Sequence, residues 1–179
     1  MTDRGQQPTL EGRRVRLRPW RPDDAPAVYD ACQDPEIQRW TQVPVPYAPE
    51  HAQGFVGEIA PATWAGGGAL FAVEPVDGGP LIASIGLFPP RDGFTEAGYW
   101  TAAGSRGQGY TAEALGVLTA WGFRDLGLHR VELHVDPANG GSRRVAERAG
   151  YREEGVIRQR FLHRGHPADV VLYARLASD

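Results

Sequence analysis

Arg106-Gly107-Gln108-Gly109-Tyr110-Thr111 separates two stretches of different periodicity. Upstream, Glu96-Ala97-Gly98-Tyr99-Trp100-Thr101 is aromatic and β-prone; downstream, between Ala112 and Asp125, Leu115, Leu118 and Gly122 fall on one helical face. The order is strand, glycine loop, helix. Side chains at 107 and 109 would keep an anion at a distance, whereas bare glycine lets several backbone N–H groups converge on it where the helix begins. Such a loop suits a pyrophosphate. The plainer alternative is a strand-to-helix turn that uses glycine only to change direction.

Two common phosphate-binding folds are excluded by the residues around the loop. The chain has 19 Lys+Arg, and every one is Arg. A P-loop needs a lysine on the outer phosphates, and none exists. A dinucleotide-binding Rossmann fingerprint needs a third glycine in register and a place near the start of the chain; Gly107 and Gly109 meet neither condition.

Several motifs in the right order carry a resemblance. From about Thr9 to Leu176 the chain resembles the GCN5-related N-acetyltransferases (GNAT), and within them the branch that acetylates the N-terminal amines of ribosomal proteins (RimJ/RimL type). The family loop reads Gln/Arg-x-x-Gly-x-Gly/Ala, matched by Arg106 to Thr111 except for Thr111 at the last position. Glu96-Ala97-Gly98-Tyr99-Trp100 is similar to the branch's fourth strand. Val135-Asp136-Pro137-Ala138-Asn139-Gly140-Gly141-Ser142 is similar to its fifth strand and Asn-x-x-Ser turn. Ala149-Gly150-Tyr151-Arg152-Glu153-Glu154-Gly155 is similar to the next helix exit and strand.

The resemblance implies an α/β (α+β) GNAT fold: one mostly antiparallel sheet of about seven strands flanked by helices and splayed between its fourth and fifth strands, here those carrying Tyr99-Trp100-Thr101 and Val131 to Val135. It implies acetyl-CoA as cofactor, transfer to a primary amine within a ternary complex, and no metal. The acceptor it favours is the α-amino group of a protein or peptide. A small amine, such as an amino antibiotic or aminoacyl nucleotide, is the runner-up, and an acyl-CoA-binding module without chemistry is the reading from another class.

Roles follow residue by residue. The backbone of Arg106, Gly107, Gln108, Gly109, Tyr110 and Thr111 would take the pyrophosphate, with the helix dipole adding attraction. Arg106 reads either as an ion pair with the cofactor's phosphates or as a solvated loop charge, and its place in the family motif favours a structural or cofactor-facing role. A backbone N–H on the Trp100-Thr101 side would face the thioester oxygen. Asn139 would bond the pantetheine arm and Ser142 would stand near the sulfur as proton donor, although both also read as ordinary helix-capping residues. Relatives outside the branch place a tyrosine acid seven residues after the asparagine; that position is Ala146 here, which leaves Ser142 as the acid. Glu96 shares a strand face with Gly98 and Trp100, so its carboxylate is either the general base for the amine or a surface charge at a strand start.

Composition bounds the rest. A chain of 179 residues, 41% hydrophobic, forms one domain over 1–179, with the first eight residues polar and loose. A net charge of -3 argues against a nucleic-acid binder. No run approaches membrane-spanning length, which gives the expectation of a soluble, cytoplasmic protein, monomeric or homodimeric. The single cysteine, Cys32, reads as a buried structural thiol, and His163-Arg164-Gly165-His166 as a turn between the last two strands. His134 reads as packed, and Trp40 and Trp64 as candidates for the acceptor wall. Strands are expected at Leu10–Arg18, Leu70–Val73, Leu81–Phe88, Arg130–Val135, Arg152–Ile157 and Val170–Leu176, with helices after Pro22 and from about Glu50 to Ile59.

Overall fold

A computed structural model describes residues 5–179. One open sheet of eight strands runs in the order β1-β2-β3-β4-β5-β6-β8-β7. Its strands are β1 (Leu10–Glu11), β2 (Val15–Pro19), β3 (Ala69–Pro75), β4 (Ala83–Leu87), β5 (Phe94–Thr101), β6 (Arg130–Val135), β7 (Arg152–His163) and β8 (His166–Leu176). Neighbours are antiparallel except β5 and β6, which run parallel.

The eighth strand comes from a break in the stretch expected as one strand, Leu10–Arg18. Gly12 N donates to Val15 O at 2.8 Å, and the chain turns back so that β1 pairs with β2. Asp77-Gly78-Gly79 makes the β3–β4 hairpin, with φ of 85° at Gly78 and 140° at Gly79. β7 and β8 extend well past the expected bounds to a turn at Arg164-Gly165, so His163 and His166 face each other across a hairpin tip. Gly5 and Gln7 are tied down, Gly5 O by Trp64 and Gln7 by Leu70 O; residues 1–4 lie outside the described chain.

Helices cover both faces. On one, α5 (Tyr110–Asp125) and α6 (Gly140–Arg148) pack Leu115, Leu118, Trp121 and Ala146 onto Phe71, Ile85, Ala97 and Leu133. On the other, α1 (Ala25–Cys32), α2 (Pro35–Trp40) and α3 (Pro49–Gly54) gather Val28, Cys32, Ile37, Tyr47 and Ala52 into a smaller cluster against which Trp20 and Trp100 lean. The helix expected to end at Ile59 continues: a π-helical turn over Phe55–Ile59 leads into α4 (Ala60–Ala65). Pro61 has no N–H to give Gly57 O and its ring crowds that carbonyl, which a wider turn relieves.

Asp34-Pro35 ends α1 as expected and also begins α2, because Asp34 accepts from Glu36 N at 2.8 Å. A buried network fastens α1 to the sheet: Arg18 donates twice to Asp24 at 2.8 Å and once to Glu74 at 2.7 Å. Burial works to raise the Asp24 pKa, but hydrogen bonds from Arg18 and from Arg21 N–H outweigh it and hold the carboxyl below its ordinary value.

Candidate active site

The sheet opens at its middle. β6 pairs with β5 only at Phe94, Thr95 and Glu96, and beyond Glu96 the two strands part. Phe88 N donates to Glu96 O and Ala102 N to Ile82 O, so even-numbered residues of β5 bond to β4. By the alternation of an antiparallel ladder, Ala97, Tyr99 and Thr101 therefore turn their backbone N–H and C=O into the gap. Of the Trp100-Thr101 pair expected to supply a free N–H, Trp100 is spent on β4, whereas Thr101 turns its N–H into the gap while its C=O accepts from Arg106 Nε at 3.1 Å. The groups of Ala97 and Tyr99 face the opening.

A cleft of about 720 Å³ occupies the gap. Its walls include Glu96, Trp100, Thr101, Arg106, Gly107, Gly109, Tyr110, Thr111, Asn139 and Ser142. Of the residues assigned to the cofactor or to catalysis, Gln108 alone is missing from the wall, its side-chain amide closing the loop on Gly104 O at 3.0 Å.

Local structure explains the loop. Gly107 and Gly109 have φ of 77° and 80°, a region costly for any residue with a Cβ. Gly109 is the N-cap of α5 and supplies no capping side chain, so the first-turn N–H groups of a 16-residue helix end at the cleft uncapped. A Cβ at Gly107 would meet no protein atom within 4 Å. A Cβ at Gly109 would meet Arg14 Nη2 at 3.4 Å, so an uncapped helix start, two left-handed glycines, open space at Gly107 and a guanidinium beside Gly109 suit a diphosphate bound by backbone. Arg106 lines the cleft and pairs through Nη2 with Asp34 at 2.7 Å, which ties the loop to the start of α2. Thr111 neither caps nor faces the cleft with its hydroxyl; it is buried and bonds Thr101 Oγ1 at 2.7 Å, pinning the helix start to β5.

The capping reading of the Asn139 turn holds, and the same residues border the cleft. Asn139 Oδ1 caps α6 by accepting from Ser142 N at 3.0 Å, and both residues line the cleft. The sequence did not single out the partner of Ser142: Tyr99 Oη lies 2.8 Å from Ser142 Oγ. Burial pushes the Tyr99 hydroxyl up to about 12 against the opposing pull of its Ser142 bond, so it remains a proton donor at neutral pH. A tyrosine is thus present beside the serine, supplied by β5 and not by α6. Odd positions of β5 point toward α6, and that alternation was the available signal.

Glu96 stands on the opposite face, with His134 Nδ1 3.0 Å from its Oε2. His134 is packed as expected, its side chain 9% exposed, but it is also part of the cleft wall. A second recess of about 440 Å³ meets the first at Trp40, Glu96 and His134. It is bounded by Gln42 and by Arg160 to His163 of the β7–β8 tip. Arg164 Nη2 clasps Gln38 O at 2.6 Å, which holds that tip over α2. Trp64 stacks on Trp121 and lines neither recess, which removes it from the acceptor wall.

Sheet, splay and glycine cradle together define an N-acetyltransferase, and the chain belongs to the GNAT family: the family model for the acetyltransferase (GNAT) domain matches residues 14–152. Among curated relatives it is 27% identical over 169 residues to YoaA of Bacillus subtilis, an uncharacterized N-acetyltransferase, covering 93% of this chain and 96% of that one. Its fold superimposes on RimJ of Mycobacterium smegmatis, solved with CoA-disulfide, with a TM-score of 0.81, 26% identity and coverage of 96% and 87%. A putative ribosomal-protein-serine acetyltransferase of Vibrio cholerae shares the fold at TM-score 0.84, with 24% identity and coverage of 95% and 98%. Among the described residues no helix is long and apolar enough to cross a membrane, and no group of three or more His, Cys, Asp or Glu is arranged to hold a metal ion.

Proposed function

We propose that this protein transfers an acetyl group from acetyl-CoA to the α-amino group of a protein or peptide in the cytoplasm. The observation that carries the reading is the gap between β5 and β6, with Glu96 on one face of the sheet and the Ser142–Tyr99 hydroxyl pair on the other. When bound, acetyl-CoA supplies an activated thioester. The Arg106–Thr111 loop holds the diphosphate, and the unpaired strand groups of Ala97 and Tyr99 bond the extended arm and receive the charge that develops on the carbonyl oxygen. Glu96 accepts the proton of the attacking amine, directly or through water. Ser142, fed by Tyr99, returns a proton to the leaving sulfur. Alignment of the two substrates supplies most of the rate, because a serine hydroxyl is a weak acid.

The peptide acceptor is supported by a match of 37% identity over 81 residues, 45% of this chain and 44% of the relative, to a putative ribosomal N-acetyltransferase, YdaF of Bacillus subtilis. It is supported too by the recess between α2 and the β7–β8 tip, which is roofed by the Arg164 clasp and suits a chain end. The test is free-thiol release from acetyl-CoA with three acceptor sets: peptides with free N-termini, the same peptides N-terminally blocked, and small amines including an aminoglycoside, a polyamine and an aminoacyl nucleotide. Turnover with free and none with blocked peptides is the expected result. Turnover confined to the small amines would overturn the acceptor assignment.

A further inference from the structure

His134 has no part in the scheme above, yet its surroundings are built for one. Alternation along β6 buries Val131, Leu133 and Val135 and puts Arg130, Glu132 and His134 on the face that carries Glu96. The parallel register then sets Glu96 beside Glu132. His134 Nδ1 lies 3.0 Å from Glu96 Oε2, and Nε2 lies 3.5 Å from Glu132 Oε2. Glu132 is itself held by Arg130 Nε at 2.6 Å, and Arg130 also donates to Glu154 at 3.0 Å. The ring thus stands between two carboxylates, of which Glu132 is itself anchored by Arg130.

Glu96 needs such a fixture. Its side chain is 38% exposed at the junction of the two recesses, where a carboxylate with no partner would sample several rotamers. We infer that His134 is the positioning residue for Glu96: the Nδ1–H group holds Oε2 so that Oε1 meets the incoming amine, while Glu132 flanks the ring on its Nε2 side. This rests on Glu96 as the general base. An imidazole in this place costs little entropy on binding, because β6 and the packing that leaves it 9% exposed have already fixed it.

The experiment compares His134→Ala, His134→Asn and His134→Gln by steady-state kinetics, alone and in the Glu96→Gln background, with melting temperatures recorded for each. His134→Ala lowers kcat about 10- to 100-fold, as expected when a reacting group is misplaced by the order of 1 Å. KM for acetyl-CoA stays within twofold. His134→Asn, whose amide N–H stands near the Nδ1 position, recovers kcat to within about fivefold of the parent, and His134→Gln, whose amide reaches the Nε2 position instead, does not. In the Glu96→Gln background His134→Ala adds no further loss, the non-additivity of two residues acting as one unit. Parent-like kcat in His134→Ala, equal losses in Asn and Gln variants, or an additive loss in the double variant each overturn the positioning role. A Glu96→Gln enzyme as fast as the parent overturns the base assignment beneath it, which is a separable outcome.

Discussion

Replacing Tyr99 by Phe deletes one oxygen and leaves the ring in place, so it isolates the contribution of the Tyr99–Ser142 contact. The bond is 2.8 Å long and sits between β5 and α6. As a structural contact it is worth about 0.5–1.5 kcal/mol. In a domain of this size that shifts the melting temperature by about 2–5 °C. Its catalytic weight is larger if the pair supplies the leaving-group proton. General acid catalysis contributes at least ~100-fold, and because Ser142 and water remain in the variant, a loss of about 10- to 100-fold in kcat is expected. That corresponds to about 1.4–2.7 kcal/mol of the barrier. The assay is thiol release at saturating acetyl-CoA and acceptor. Since burial pushes the Tyr99 hydroxyl up to about 12, the donating form is present at every lower pH. The ratio of parent to variant kcat should therefore stay flat from about pH 6 to 10 and narrow only as the pH nears that value. A variant with kcat within twofold of the parent would refute the proton-donor role. So would a ratio that collapses below pH 8.

Three further outcomes follow from the geometry. Asp34→Asn keeps the cap on Glu36 N but removes the charge opposite Arg106; a partly exposed pair is worth up to about 1 kcal/mol, so acetyl-CoA binding by calorimetry should weaken about three- to fivefold with little change in melting temperature. Asp24→Asn strands half of the buried Arg18 network and should cost about 2–3 kcal/mol in denaturant titrations at pH 7. Because the folded carboxyl lies below its ordinary value, that stabilisation is complete above the unfolded pKa of about 3.9 and is lost as pH falls through the folded one, so the gap between parent and variant should close on acidification. Cys32 is 1% exposed and burial pushes its thiol up to about 11, so a thiol reagent should titrate none of the native protein and one group in denaturant.

The parts of this architecture that were readable in the sequence are those whose signal is local. The Gly107-Gly109 loop and the Asn139 cap each occupy a few consecutive residues, and backbone geometry alone constrains them. The first strand was misread for an equally local reason: Val15 and Leu17 alternate with Arg14, Arg16 and Arg18, but Leu10 lies out of phase with them, and that shift marks where Gly12 turns the chain back. The chemistry was harder. Tyr99 and Ser142 lie 43 residues apart, and Glu96 meets His134 through a parallel pairing that spans the whole of α5. Such contacts depend on which strands become neighbours, and strand order is a property of the folded sheet. Arg106 illustrates the same limit. Its motif position pointed to the loop, and nothing near it in sequence marks Asp34 as its partner.

Because the sheet is parted and not merely grooved, the site is a passage with two ends. The glycine cradle opens beside α5 and α6, and the second recess opens beneath the β7–β8 tip. On the proposed function, donor and acceptor arrive through separate doorways and leave by them. Free CoA should compete with acetyl-CoA for the first doorway while leaving the second open to the amine, and acetylated product should do the reverse. Traffic through one end need not wait on the other, so a large acceptor docked at the tip can remain in place while spent cofactor is exchanged behind it.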